Sequence, residues 1–194
     1  MRIGITGGIG SGKSYVARLL TSRFGIPVYD SDQQARRLMV ESSEIRQKLV
    51  ALLGDEAYDE SGKLCKRVVA RYLFASEDHA AAINAIVHPA VKADFQRWAA
   101  AKDGDVALES AILLEAGFRD VVDCLLLVTA PEELRLRRAM QRDGVGEEQV
   151  RQRMARQTAE DFRLRAADFV LINDGRDVVP QLKEFIDTFK HKEN

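Results

Sequence analysis

Short apolar runs alternate along this chain with longer stretches in which apolar residues recur every three or four positions. Ile3 to Thr6, Pro27 to Tyr29, Val106 to Glu109, Leu125 to Thr129 and Phe169 to Ile172 are rich in Val, Ile and Leu with little polar alternation, as strands covered on both faces are. The first run leads into Val16, Leu19, Leu20 and Phe24 at helical spacing, and Val178 to Phe189 forms an amphipathic helical pattern. Strands separated by helices predict an α/β fold, a five-stranded parallel sheet with helices on both faces. Ligands of such sheets gather at the carboxyl ends of the strands, which directs attention to the residues just after each run.

Two segments depart from simple alternation. From Gln33 to Lys102 the pattern is almost wholly helical, with one turn-rich break at Asp59-Glu60-Ser61-Gly62, and its roughly 70 residues far exceed the dozen or so that a parallel crossover needs. A helical insertion over 33–102 is expected, with Phe74, Ile83, Ile86, Phe95 and Trp98 on its apolar face. Within it, Pro89 is expected to open a new helix at its first position, and His88 is a candidate ligand contact, although a lone histidine is more often a surface or satisfied structural residue. From Leu134 onward the chain turns basic, and Asp143-Gly144-Val145-Gly146 interrupts the helical pattern, which predicts a helix-turn-helix lid over 135–165. The core is then 1–32, 103–134 and 166–194, with His191 to Asn194 expected to fray.

Composition narrows the function classes. The 194 residues suit one domain with inserted subdomains, and 46% hydrophobic with 30% charged residues is ordinary for a globular protein. A net charge of −1 gives no overall electrostatic case for nucleic acid or an anionic membrane as partner. The two cysteines, Cys65 and Cys124, match no metal spacing and are expected to be reduced thiols. No run reaches the roughly 18 apolar residues of a membrane span, and the amino-terminal stretch does not have the pattern of a signal peptide. A cytoplasmic location with no obligate protein partner is the expectation.

The chemistry concentrates after the first strand, in Gly7-Gly8-Ile9-Gly10-Ser11-Gly12-Lys13-Ser14. A glycine-rich turn between a strand and a helix can point successive backbone N–H groups at phosphate oxygens, and the helix N-terminus adds partial positive charge. In that arrangement Lys13 reaches the β- and γ-phosphates and the Ser14 hydroxyl holds Mg²⁺. The second strand ends in Asp30-Ser31-Asp32, where one residue is expected to cap the next helix. Capping does not account for both carboxylates, and Asp32, with Asp30 behind it, is the candidate for orienting and deprotonating an attacking hydroxyl or for a Mg²⁺-related role. Glu109 and Glu115 follow the third strand and are candidates to face a cleft. Of the basic residues, Arg135, Arg138 and Arg142 are spaced to share a helix face, and Arg138 and Arg142 are the candidates for contact with nucleotide phosphates. Asn173-Asp174-Gly175 reads as a turn at a strand end where a base edge could also be read.

Taken together, Ile5-Thr6 with the glycine-rich loop, Asp30-Ser31-Asp32, Ile86-Val87-His88-Pro89, Leu113-Leu114-Glu115, Arg138 through Gln141-Arg142-Asp143, and Ala167-Asp168-Phe169-Val170 ending at Asn173 resemble the dephospho-coenzyme A kinase family almost end to end. The resemblance implies a P-loop kinase fold with a helical substrate-binding insertion and a lid. It implies ATP-dependent phosphorylation of the ribose 3′-hydroxyl of dephospho-CoA. On it, Gly8, Gly10, Ser11, Gly12, Lys13, Ser14 and Tyr15 belong to the ATP-binding loop, Asp32 activates the hydroxyl, and Arg138 and Arg142 are lid arginines. Ser14 and Asp32 are the expected metal contacts, and Asp32 and His88 the expected substrate contacts. Tyr15 stands where the family usually has Thr, and Ala111 where it usually has Pro. A kinase of another small hydroxyl or of a nucleoside monophosphate is the alternative. A GTP-dependent switch would need a guanine-reading Asn-Lys-x-Asp after a strand, and the sequence has none.

Overall fold

The computed structural model describes residues 1–73 and 75–190, so Phe74 and the expected fraying of His191 to Asn194 lie outside the described residues. Strands β1 (Arg2–Thr6), β2 (Val28–Asp30), β3 (Val106–Glu109), β4 (Cys124–Thr129) and β5 (Phe169–Ile172) form one five-stranded sheet in the order β2-β3-β1-β4-β5. The sheet is parallel, with Ile5 opposite Glu109 on β3 and Leu126 on β4, and Thr129 opposite Ile172 across β4 and β5. The expected runs match these strands to within one or two residues, and the α/β class follows from them. The helices in chain order are α1 (Lys13–Phe24), α2 (Ser31–Glu41), α3 (Ser43–Leu53), α4 (Lys66–Leu73), α5 (Glu77–Ala100), α6 (Glu132–Asp143), α7 (Glu147–Ala155), α8 (Glu160–Ala166) and α9 (Val179–Lys190).

The chain divides into two compact units, Met1–Tyr29 with Lys102–Asn194, and Asp30–Ala101. In the first, Ile3, Ile5, Leu126 and Val128 from the sheet pack with Val16 and Leu20 of α1 and with Leu182, Phe185 and Ile186 of α9. Phe185 meets Phe169 edge to face at 5.5 Å. Full burial of each such side chain stabilises the fold by about 1.5–3 kcal/mol, so the uninterrupted apolar runs are what make these strands central. Cys124 belongs to this core, and burial pushes its thiol up to about 12, which keeps it protonated.

The second unit is helical. Asp30 caps α2 by accepting from the Gln33 N–H at 2.9 Å, Ser42 caps α3, and Ser76 caps α5. Pro89 does not open a new helix as expected. It lies inside α5, which runs unbroken from Glu77 to Ala100. The ring removes one backbone donor, leaving the Ala85 carbonyl without its usual partner, at a cost of about 3 kcal/mol in an isolated helix. A stripe of buried residues at four-residue spacing, Ile83, Val87, Val91, Phe95 and Ala99, continues through the proline and outweighs that cost. Ile86 and Trp98 flank this stripe and are only half-buried. Arg37 of α2 ties to Asp94 of α5 at 2.7 Å, and the Tyr58 hydroxyl donates to the Met39 carbonyl.

Candidate active site

The glycine-rich loop leaves β1, the middle strand of the sheet, and enters α1 through Gly12 at φ +92°, a left-handed conformation that side chains rarely adopt. A Cβ there would also lie 2.1 Å from the Asn173 amide nitrogen. Asn173, at the end of β5, donates from that amide to the Ser11 carbonyl at 2.9 Å and from its backbone to Thr129 at 2.8 Å. Arg138 of α6 donates to the Asn173 carbonyl at 3.0 Å. Asn173 therefore anchors the loop to the far edge of the sheet, a role that its turn-like sequence context did not reveal.

Lys13 and Ser14 open α1, and the exposed Tyr15 ring follows. The Ser14 hydroxyl donates to the carboxylate of the buried Glu109 at 2.6 Å, from the first turn of α1 to the end of β3. A hydroxyl and a carboxylate are hard oxygen donors of the kind Mg²⁺ takes together with phosphate oxygens and water. Among the described residues no group of three or more His, Cys, Asp or Glu side chains is placed to hold a metal unaided. The donor set fits a Mg²⁺ ion that arrives with phosphates.

Cationic groups cover the turn itself. A Cβ on Gly8 would fall 2.4 Å from Arg135 Nη1 and 3.4 Å from Arg163 Nη2, so a side chain there would displace the Arg135 guanidinium from its place against the backbone. Arg135 and Arg163 are 7% and 4% exposed, and Arg135 pairs with Glu160 at 2.8 Å. Arg135 Nε, Arg163 Nη1 and the Ser11 hydroxyl are nevertheless buried without a hydrogen-bond partner. Burial, and secondarily the like charge of Arg135, lowers the Arg163 pKa, while Glu160 and Glu115 oppose the shift. Gln157 accepts from the Ile9 N–H at 2.8 Å, and a cavity of about 450 Å³ opens beside these groups between α6, α7 and α8. Buried charged donors without partners cost free energy, and an anion supplied from outside removes that cost.

The sequence pattern drew attention to Arg138 and Arg142. Arg138 is half-buried beside Asn173 and the loop. Arg142 is exposed at the end of α6, where it pairs with Asp143 at 2.7 Å. Arg142, with Arg153, holds the Asp143 carboxyl at about 2. Arg135 and Arg163 belong to the same basic run, but their burial leaves no periodic trace in the sequence. Glu115 is exposed and accepts from the Thr158 hydroxyl.

On the helical unit, Asp30 is engaged as the cap of α2, whereas Asp32 lies exposed in its first turn. His88 is half-buried on α5, and burial lowers its pKa, which favours the neutral ring.

A parallel sheet of this strand order, with a glycine-rich loop leading from its middle strand into a helix that begins Lys-Ser, defines a P-loop kinase fold. The profile of the dephospho-CoA kinase family (CoaE) matches residues 1–178, and the chain belongs to that family. It is 46% identical over 189 residues to the dephospho-CoA kinase of Bacteroides fragilis, covering 96% of this chain and 91% of that protein. The crystal structure of TT1252 from Thermus thermophilus is similar at a TM-score of 0.83 and 36% identity, with 97% of each chain covered. Dephospho-CoA kinase from Campylobacter jejuni shares the fold at a TM-score of 0.71 and 20% identity, over 100% of this chain and 98% of that one.

Proposed function

We infer that this chain transfers the γ-phosphoryl group of ATP to the ribose 3′-hydroxyl of dephospho-CoA, giving coenzyme A and ADP. The observation that carries the chemistry is the pair of buried guanidinium groups over Gly8, each with an N–H that has no partner until anionic phosphoryl oxygens arrive. Gly8, Gly10, Ser11, Gly12 and Lys13 hold the triphosphate through backbone N–H groups and the lysine ammonium. Ser14 and Glu109 would hold Mg²⁺, which when bound offsets charge on the β- and γ-phosphates. Arg135 and Arg163 stabilise the charge that spreads over the transferring group, with Arg138 and Arg142 of the lid contributing from α6.

Asp32 orients the 3′-hydroxyl and accepts its proton as the new O–P bond forms and the bond from the γ-phosphorus to the departing ADP oxygen breaks. An ionised aspartate is a weak base, so much of its contribution is positioning. Its replacement in Asp32→Asn lowers kcat with dephospho-CoA by about 100-fold or more, and near-normal turnover would remove it from this role. His88 belongs to the acceptor side as a neutral substrate contact. Among the described residues no helix is long and apolar enough to cross a membrane.

A coupled assay of ADP release with dephospho-CoA, adenylate and shikimate offered separately as acceptors tests the assignment. Turnover specific to dephospho-CoA is expected. Turnover with adenylate alone would overturn it.

A further inference from the structure

We propose that a groove on the helical unit seats the diphosphate and pantetheine arm of the acceptor; this rests on the functional reading above and extends it to residues that no motif marks. The groove, of about 810 Å³, lies between α2, the segment around Asp59 to Leu64, and α4. Its floor is apolar, built from Met39, Val40, Leu64, Val69, Ala70 and Leu73. Val40 is 43% exposed, which adds to the apolar surface that the groove leaves in contact with water.

The rim is cationic, with Arg36, Lys63 and Lys66. The one acid among the lining residues, Asp59, accepts from the Ser61 and Lys63 backbone N–H groups at 2.9 Å each and from the Ser61 hydroxyl, so its carboxylate is turned to its own loop. Arg36 and Lys66 make no ion pair among the described residues. An apolar floor under a positive rim fits an anionic molecule with a long uncharged tail.

The order of groups along α2 matches the order of groups in dephospho-CoA. Asp32, Arg36 and Met39 with Val40 follow one another at spacings of four and then three to four residues, on one helix face. At the rise of an α-helix, Arg36 lies about 6 Å and Met39 and Val40 about 10–12 Å along the axis from Asp32. The acceptor carries its ribose hydroxyl first, then the 5′-diphosphate, then the arm with a gem-dimethyl group and a thiol end. With the hydroxyl at Asp32, the diphosphate falls at Arg36 and the lysines, and the arm runs over Met39, Val40, Val69 and Leu73.

The test is Val69→Trp, which obstructs the groove at its apolar floor, together with Lys66→Glu, an exposed rim change that leaves the floor intact. The readouts are the KM for dephospho-CoA, the KM for ATP, and the inhibition constant of 4′-phosphopantetheine, which carries the arm and one phosphate without the nucleoside. Tenfold or larger rises in the dephospho-CoA KM and in the 4′-phosphopantetheine constant are expected in both variants, against less than twofold in the ATP KM. Unchanged values for dephospho-CoA in either variant that remains folded by circular dichroism would overturn the proposal, and if Val69→Trp does not fold, Lys66→Glu decides. A wild-type chain that fails to turn over dephospho-CoA would instead refute the functional reading. In that case calorimetric titration of 4′-phosphopantetheine into the wild-type and Lys66→Glu proteins decides the groove by itself, with tenfold weaker binding expected in the variant.

Discussion

Replacing Arg163 with methionine separates a structural arginine from one kept for a ligand. Arg163 is 4% exposed, its Nη1 has no partner, and burial beside Arg135 lowers its pKa, so its charged form is held at a disadvantage in the ligand-free protein. A buried donor without a partner costs about 1–3 kcal/mol, and methionine keeps the apolar stem while removing the donors. Against this stands the lost attraction to Glu160 and Glu115, so the ligand-free Arg163→Met protein should be as stable as wild type or up to about 2 kcal/mol more stable. ATP binding moves the other way. A charge-assisted hydrogen bond to phosphate contributes about 1.5–3 kcal/mol, which corresponds to a 10- to 150-fold weaker Kd. Urea unfolding gives the first quantity and calorimetric titration of ATP with Mg²⁺ the second. At ATP near 100 times the wild-type Kd, ligand stabilises wild type by about 2.7 kcal/mol and a tenfold weaker variant by about 1.4 kcal/mol. A variant destabilised by more than 2 kcal/mol with unchanged ATP affinity would refute the reasoning and make Arg163 a structural residue.

Gly12→Ala should lower stability by about 2 kcal/mol or more and abolish ATP binding, because it combines φ +92° with a Cβ 2.1 Å from Asn173; urea unfolding and ATP titration read both effects. Pro89→Ala should raise the unfolding free energy by about 1–3 kcal/mol by restoring a backbone donor to the Ala85 carbonyl, and a loss of stability would mean that the proline contributes packing that offsets its missing N–H. Asp143→Asn removes a carboxylate whose folded pKa, about 2, is held below its unfolded value by Arg142 first and Arg153 next. A depressed pKa contributes stability above the unfolded pKa of about 3.9, lost as pH falls through the folded one, so the gap between wild type and this variant in urea midpoint should be full at pH 6 and close between about pH 4 and pH 2.

Much of the fold was legible in the sequence because strands buried on both faces must be apolar at consecutive positions. The five runs of that kind and the helical insertion after Asp32 follow from it. The glycine-rich loop was legible for a similar reason, since a turn that approaches phosphate and enters a helix through positive φ requires glycine at fixed places. Even the cap at Asp30 is local chemistry. The expected break at Pro89 failed because tertiary burial of Ile83, Val87, Val91, Phe95 and Ala99 outweighs a local backbone preference.

What only the tertiary structure decided is which polar groups meet. Ser14 reaches Glu109 across 95 residues and Asn173 reaches Ser11 across 162, pairs set by the strand order β2-β3-β1-β4-β5. Arg135 and Arg163 resemble the other arginines of the basic run until α6 and α8 bury them over Gly8. Periodicity and backbone preference are local and are written in neighbouring residues. Burial of a charge, and the missing partner that marks a ligand site, exist only once distant segments have packed.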